Sequence, residues 1–330
     1  MLDVRRREFI AALGGATASL VSWPLATYAQ PLPHRVGLLS GNHFDERELA
    51  AIRTGLAEAG FRDGRDVTIE YRSAEGQYDR LPALAAELVR RPVDLILAIG
   101  GTASAIAAKG ATSTIPIVFA NGGDPVNAGL VPSLNRPGGN VTGVSFFVTT
   151  LGAKRLEILR GLVPAARSIG FLVNPSNPNV ASEMKDVQTA GHALGLELHV
   201  QNARTAQDFD AAFTALVTHG VSAIIMSADA FFLSERTRLA ALAAQHRLPT
   251  MGDVREHALA GTLVSYGTDR HDAYRQGGVY AGRVLKREKP ADLPVMQSTK
   301  FELVINLKTA KALGLDVPTS LLATADEAIE

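Results

Sequence analysis

The chain has 330 residues, 46% of them hydrophobic, and its 33 basic and 33 acidic side chains cancel. A balanced charge leaves no electrostatic footprint for nucleic acid or an anionic membrane surface, so neither is expected as a partner. With no cysteine present, disulfides, thiol catalysis, thiolate metal sites and lipid attachment at a cysteine are excluded together.

The first segment reads as an address. Arg5, Arg6 and Arg7 precede Phe9-Ile10 and an apolar run to Val21 that is interrupted by Gly14, Gly15, Thr17 and Ser19. That run falls short of the ~20 strongly apolar residues a spanning helix needs, and its charged-then-apolar order is that of a signal peptide. Arg6-Arg7-Glu8-Phe9-Ile10 resembles the twin-arginine export pattern, and Thr27 and Ala29 ahead of Gln30 suit a signal peptidase. Residues 1–29 are therefore expected to be removed after Ala29 and the remainder to work in the periplasm. No later apolar run reaches spanning length, so no membrane insertion is expected. The remaining length exceeds what one hydrophobic core usually serves, which predicts two domains.

From Arg35 onward β-branched runs alternate with helical patterns. Strands are expected at 35–40, 67–72, 93–100, 115–120 and 140–145, with helices at 45–60, 78–91 and 102–111 between them. After a helix at 150–162 the alternation resumes, with strands at 168–173, 196–201, 221–227, 248–252 and 261–267 and helices at 178–194, 206–219 and 231–246. Near-continuous apolar strands separated by helices predict βαβ units and parallel sheets covered on both faces. The fold class is thus α/β with two doubly wound lobes of similar size, which share a pattern without a close sequence repeat. In such sheets the loops beyond the carboxyl ends of the strands form a crevice, and two facing crevices make a cleft suited to a small molecule.

The strand-end loops hold the candidates. After the third strand, Gly100 and Gly101 allow close backbone approach, and Thr102 and Ser104 bring hydroxyls to the free N–H groups of a new helix, a terminus that suits a carboxylate. Thr102 also reads as an ordinary N-cap. In the next loop Asp124 before Pro125 reads as a turn or capping residue, whereas Asn121, Gly122 and Gly123 either approach a ligand or form a turn. In the second half, Asp229 ends a strand ahead of Phe231 and Phe232. It either accepts a ligand ammonium, with an aromatic ring covering an apolar substituent, or caps the helix while one phenylalanine enters the core. The chain contains neither a dinucleotide fingerprint nor a P-loop, and its eight histidines lack zinc-helix spacing. The segment 143–147 lacks the second glycine of a nucleophile elbow. No metal, cofactor or catalytic group is expected.

Two longer stretches carry a resemblance. "PIVFANGGDPVNAGLVPSLNRPGGNVTGVS" (116–145) and "FELVINLKTAKALGLDVP" (301–318), with "LAEAGFRDGRDVTIEYRSAEGQYDRLPALAAELV" at the matching distance from the first strand, resemble the ABC-transporter substrate-binding proteins of the tryptophan/tyrosine type. The resemblance spans nearly the whole chain beyond residue 29. It implies a type I periplasmic binding fold with three crossovers, and the hinge between two such halves then sets lobe I at 34–145 plus 267–297 and lobe II at 146–266 plus 298–330. It further implies a small-molecule ligand in the cleft and an ABC permease in the inner membrane as partner; the chain itself is expected to be a monomer.

Gly101, Thr102 and Ala103 match the family's helix-opening loop, and Asp229 matches the acidic strand-end position of the second lobe. With Ser40, Asn42, Asn121, Ser145 and Phe231 they make up the expected ligand-binding set. After the first strand, members assigned to aromatic amino acids carry a glutamine and a His-Pro pair. This chain reads Ser40-Gly41-Asn42-His43-Phe44 there, so the resemblance implies the transport role and leaves the ligand open. The alternatives are a ligand sensor for a membrane receptor and an exported enzyme on the same scaffold.

Replacing Arg6 and Arg7 together by lysine is expected to leave the precursor in the cytoplasm with residues 1–29 attached. Fractionation and mass measurement check this, and a normally cut periplasmic product would contradict it.

Overall fold

The computed structural model describes residues 32–43 and 46–330. The leader expected at 1–29, its cleavage site after Ala29, and Phe44 lie outside the described residues.

The first half runs β1 (His34–Ser40), α1 (Glu46–Glu58), β2 (Val67–Ser73), α2 (Leu81–Val89), β3 (Leu95–Ile99), α3 (Thr102–Ala111), β4 (Ile117–Asn121) and β5 (Val141–Ser145). Every residue of β3, β4 and β5 is buried, as continuous apolar runs require of strands covered on both faces. The second half runs α4 (Gly152–Leu162), β6 (Ser168–Val173), α5 (Val180–Ala193), β7 (Glu197–Asn202), α6 (Asp208–Thr218), β8 (Ala223–Met226), α7 (Ala230–Ser234), α8 (Arg236–Gln245), β9 (Thr250–Gly252), α9 (Arg255–Ala260) and β10 (Val264–Thr268). The chain closes with α10 (Arg270–Leu285), β11 (Met296–Gln297), β12 (Phe301–Asn306), α11 (Leu307–Leu313), α12 (Thr319–Leu322) and β13 (Glu327–Ile329).

One sheet has the order β11-β5-β4-β3-β1-β2 and is parallel throughout. The other has the order β13-β12-β10-β9-β8-β6-β7, parallel except where β12 runs against β10, Val264 opposite Ile305. The expected α/β class with two doubly wound lobes is therefore present. Within each lobe the leading strands follow one plan. β2-β1-β3-β4-β5 and β7-β6-β8-β9-β10 both reverse direction of winding beside their first strand, which is where a doubly wound sheet opens its crevice.

The chain passes between the sheets after Ser145, between Thr268 and Arg270, and between Gln297 and Phe301. These passages are cross-bonded: Thr268 Oγ1 donates to Phe146 O at 3.2 Å, Asp269 N to Lys300 O at 3.0 Å, and Ser298 N to Ser145 O at 2.9 Å. The helix expected at 231–246 is interrupted at Glu235, giving α7 and α8. Short elements without a full amphipathic period, α9, α11, α12 and β13, were not anticipated.

Each sheet is covered by helices on both faces, and four apolar clusters form the two cores. The tightest helix contact in the first lobe joins α1 to α10. A methyl group placed on Gly55 would lie 1.8 Å from Arg275 O, and one on Gly278 would lie 2.3 Å from Ile52 O. The two backbones touch through these glycines, which anchors α10, a late element of the chain, on one of the first. Gly55→Ala is expected to force the helices apart and lower stability by about 1–3 kcal/mol. Urea denaturation measures this; a loss within the scatter of the method would mean that the helices separate freely.

Candidate functional site

The two switch points face each other. On one side stand the loops after β1 and β3, carrying Asn42, Gly100 and Gly101; on the other stand the loops after β6 and β8, carrying Asn179, Ala228 and Asp229. Between them lies a cavity of about 50 Å³, completed by Phe146 and Val148 from the first interlobe passage, Asp253 after β9, and Arg270 and Tyr274 from α10. Gly100 and Gly101 hold φ of 65° and 110°, conformations that favour glycine and turn the chain sharply into α3. A side chain at Gly100 would also meet Asn42 Oδ1 at 2.1 Å and Ser40 Oγ at 2.4 Å, so these loops pack backbone to side chain.

The lobes are drawn together by hydrogen bonds across this junction. Tyr78 Oη donates to Asp229 Oδ2 at 3.0 Å and accepts from Ala230 N at 3.0 Å. Asn179 Nδ2 donates to Thr102 Oγ1 at 3.0 Å, and Thr102 Oγ1 in turn donates to Asn121 Oδ1 at 3.3 Å. Asp229 takes the capping role that its sequence allowed, at the start of α7, and it also accepts a hydrogen bond across the junction from Tyr78. Its carboxylate accepts from Phe231 N, Phe232 N, Asn174 Nδ2, Asn177 Nδ2 and Tyr78 Oη. Burial outweighs these bonds and pushes its pKa up to about 6. Tyr78 borders the outer groove with its ring and is only partly buried. Enclosure of its hydroxyl, and then the Asp229 charge, raise the phenol well above its ordinary pKa.

A second set of charges supports the Asp229 loop from beneath. Arg155 of α4 and Glu183 of α5, both fully buried, pair at 3.1 Å. Glu183 also accepts from Ala228 N, and Arg155 Nε donates to Tyr266 O in the middle of β10. Burial pushes Glu183 up to about 7, against the pull of the Arg155 guanidinium and the Ala228 N–H. One ion pair thereby ties the cleft loop to the strand that leads into the second passage.

The residues anticipated from sequence divide into three groups. Asn42, Gly101 and Asp229 line the cavity. Ser40, Thr102, Asn121 and Ser145 are buried behind it: Ser40 Oγ donates to Asn42 Oδ1 at 3.0 Å, and Ser145 Oγ donates to Gly123 O at 2.9 Å. Ala103 and Phe231 border a separate outer groove of about 950 Å³ between the lobes. Asp124 closes its own turn, accepting from Val126 N and Asn127 N. Sequence reasoning missed Tyr78, Asn174, Asn177, Asn179, Asp253 and Arg270. The asparagine-rich "NPSNPN" (174–179) after β6 was a readable signal, since it occupies a strand end; Tyr78 and Arg270 come from elements whose placement only the tertiary fold sets. Among the described residues no helix is long and apolar enough to cross a membrane, and no group of three or more His, Asp or Glu is arranged to hold a metal ion.

Comparison with known proteins bears on this geometry. The family model for ABC transporter substrate binding proteins matches residues 38–329. A tyrosine-binding protein of Clostridioides difficile (strain R20291) is 30% identical over 260 residues, covering 79% of this chain and 74% of that protein. A Streptococcus pneumoniae ABC domain solved in complex with L-Trp superposes with a TM-score of 0.84 at 28% identity, covering 90% of this chain and all of that one. A Clostridium difficile substrate binding protein with adhesive properties, solved in a ligand-free, open form, gives 0.63 at 27% identity, covering 90% of this chain and 99% of that one.

Tyr78→Phe keeps the ring against the groove and removes the hydroxyl, leaving Ala230 N and one Asp229 oxygen short of a partner. A loss of about 1–3 kcal/mol is expected, felt only when the lobes are closed. Small-angle X-ray scattering of the variant should give a larger radius of gyration than the parent. Identical scattering would show that the hydroxyl does not hold the lobes.

Proposed function

Because the chain belongs to the ABC transporter substrate binding protein family, we propose that it captures an amino acid or related carboxylate between its lobes and delivers it to an ABC permease in the inner membrane. The observation that carries this reading is the cavity at the junction of two facing switch points, bordered by a glycine turn that opens a helix and by buried acidic side chains. The tyrosine-binding relative and the L-Trp complex support an amino acid as the ligand class.

In this reading the moving bodies are 34–145 with 267–297 and 146–266 with 298–330, joined at the three passages. Asn42 and Gly101 reach the ligand from one body, and Asn179 and Asp229 from the other. Ser40, Thr102, Asn121 and Ser145 hold those loops in shape, while Ala103 and Phe231 border the entrance. The open and closed forms exchange, and a ligand that touches both lobes binds the closed form better and shifts the population toward it. The closed form, with both lobe faces presented in one fixed relation, is what the permease recognises. The protein works in the periplasm as a monomer and returns its ligand chemically unchanged.

Thermal denaturation of protein freed of bound solute by unfolding and refolding tests the reading. A cognate amino acid at about a hundred times its Kd stabilises the folded form by about 2.7 kcal/mol, which raises the melting temperature by several degrees. Failure of every common amino acid and small carboxylate to raise it would overturn the assignment.

A further inference from the structure

The cavity holds a positive charge that the protein satisfies only in part. Arg270 opens α10 directly after the second passage and is 7% exposed. Its Nη2 donates to Glu48 Oε1 at 2.6 Å and to Tyr274 Oη at 2.8 Å, and its guanidinium carbon lies 5.2 Å from the centre of the Tyr274 ring. Tyr274 Oη is fixed in turn by the Gly100 backbone. The guanidinium is thus pinned by one arm, while Nη1, equally buried, has no hydrogen-bond partner. An unmet buried donor on a charged group costs more than an ordinary one and calls for a partner from outside the protein, such as water, an ion or a ligand.

Asp253, from the loop after β9, lines the same cavity and is also 7% exposed. Burial alone would raise its pKa. The proximity of His257, whose Nε2 lies 3.2 Å from Oδ1, together with the charges of Arg155 and Arg270, brings it below the usual carboxylate value. Asp229, by contrast, already has all five of its donors from the protein. Two lining residues of the cavity thus have unspent capacity: Arg270 has a guanidinium nitrogen without a partner, and Asp253 has a carboxylate held below its ordinary pKa.

Size and lining limit what fits between them. At about 10–15 Å³ per water, the 50 Å³ cavity holds only a few atoms' worth of ligand. It shares Asn42, Leu233 and Arg270 with an adjoining chamber of about 320 Å³. The walls added there are His43, Glu48, Ser234, Arg236 and Glu256, all polar or charged. A phenol or indole ring in that chamber would strip water from charged groups without replacing their hydrogen bonds.

The geometry points to Arg270 as the anchor for the carboxylate of an α-amino acid and to Asp253 as the partner of its ammonium, with a small or polar side chain that runs past Arg270 into the charged chamber. This rests on the solute-binding reading and narrows it. The bound zwitterion completes the guanidinium fork, one arm on Glu48 and the other on the ligand.

Calorimetric titration of the solute-free chain with serine, glutamine, glutamate, arginine, tyrosine and tryptophan tests it. One of the first four should bind at least tenfold more tightly than either aromatic. Arg270→Lys, which keeps a cation beside Glu48 but lacks the second arm, should weaken that ligand at least tenfold. Asp253→Asn should weaken the amino acid at least tenfold while leaving its deaminated 2-hydroxy acid analogue within about twofold. If Arg270→Lys does not fold, the parent chain titrated with the ligand's carboxamide carries the test: tenfold weaker binding supports the anchor and equal binding overturns it. Tightest binding by tryptophan or tyrosine, or an Arg270→Lys variant as tight as the parent, would overturn the inference and leave the solute-binding function standing. Binding of none of the six by the parent would overturn the inference together with its amino-acid premise.

Discussion

The closed arrangement of this protein depends on one carboxylate that the fold has enclosed. Taking the Asp229 charge out of water costs several kcal/mol unless donors replace the lost hydration, and the chain meets that cost from three directions. Two backbone N–H groups of α7 come from its own loop, two amides come from the asparagine loop after β6, and one hydroxyl comes from Tyr78 in the opposite lobe. Only the last crosses the cleft. When the lobes part, the carboxylate keeps four donors and water replaces the fifth, so closure exchanges one hydrogen bond for another of similar strength. A nearly balanced exchange of that kind suits a clamp whose position a bound solute decides.

The buried charges beneath the cleft follow the same logic at a different place. Arg155 and Glu183 contribute little net stability as a pair, because desolvation offsets most of their attraction. Their geometric effect is larger. Glu183 fixes Ala228 N, the residue ahead of Asp229, and Arg155 fixes Tyr266 O, two residues before the chain leaves the second sheet. The cleft loop and the passage between lobes are thereby held as one unit, so motion at the passage moves the binding loop without deforming it.

Much of the fold was legible from sequence, and the reason is periodicity. Strands such as β3 and β6 are apolar runs of the right length between helical patterns, and their ends followed directly, as did the loops carrying Gly101 and Asp229. Pattern reading failed where an element is too short to show a period, as with α9 and β13, and where one helical pattern hides a break, as at Glu235. It failed for Tyr78 because the partner lies 151 residues away. It failed for Arg270 because a helix-opening arginine after a strand looks like any surface cation until α10 is seen to dock against α1. The candidates Ser40, Thr102, Asn121 and Ser145 show a further limit: a polar residue at a strand end sits near the cleft by topology, but whether it faces the cavity or braces the loop behind it depends on side-chain direction.

The docking of α10 on α1 has a consequence for how the protein is made. The bond between Arg270 and Glu48 spans 222 positions, and β11, beside β5 at the edge of the first sheet, ends only at Gln297. The second sheet is complete only with β13, which ends at Ile329. During synthesis, neither lobe can close its core until nearly the whole polypeptide has emerged from the ribosome. The early βαβ units keep apolar faces uncovered until then, so this two-lobed chain completes its cores late and as a whole.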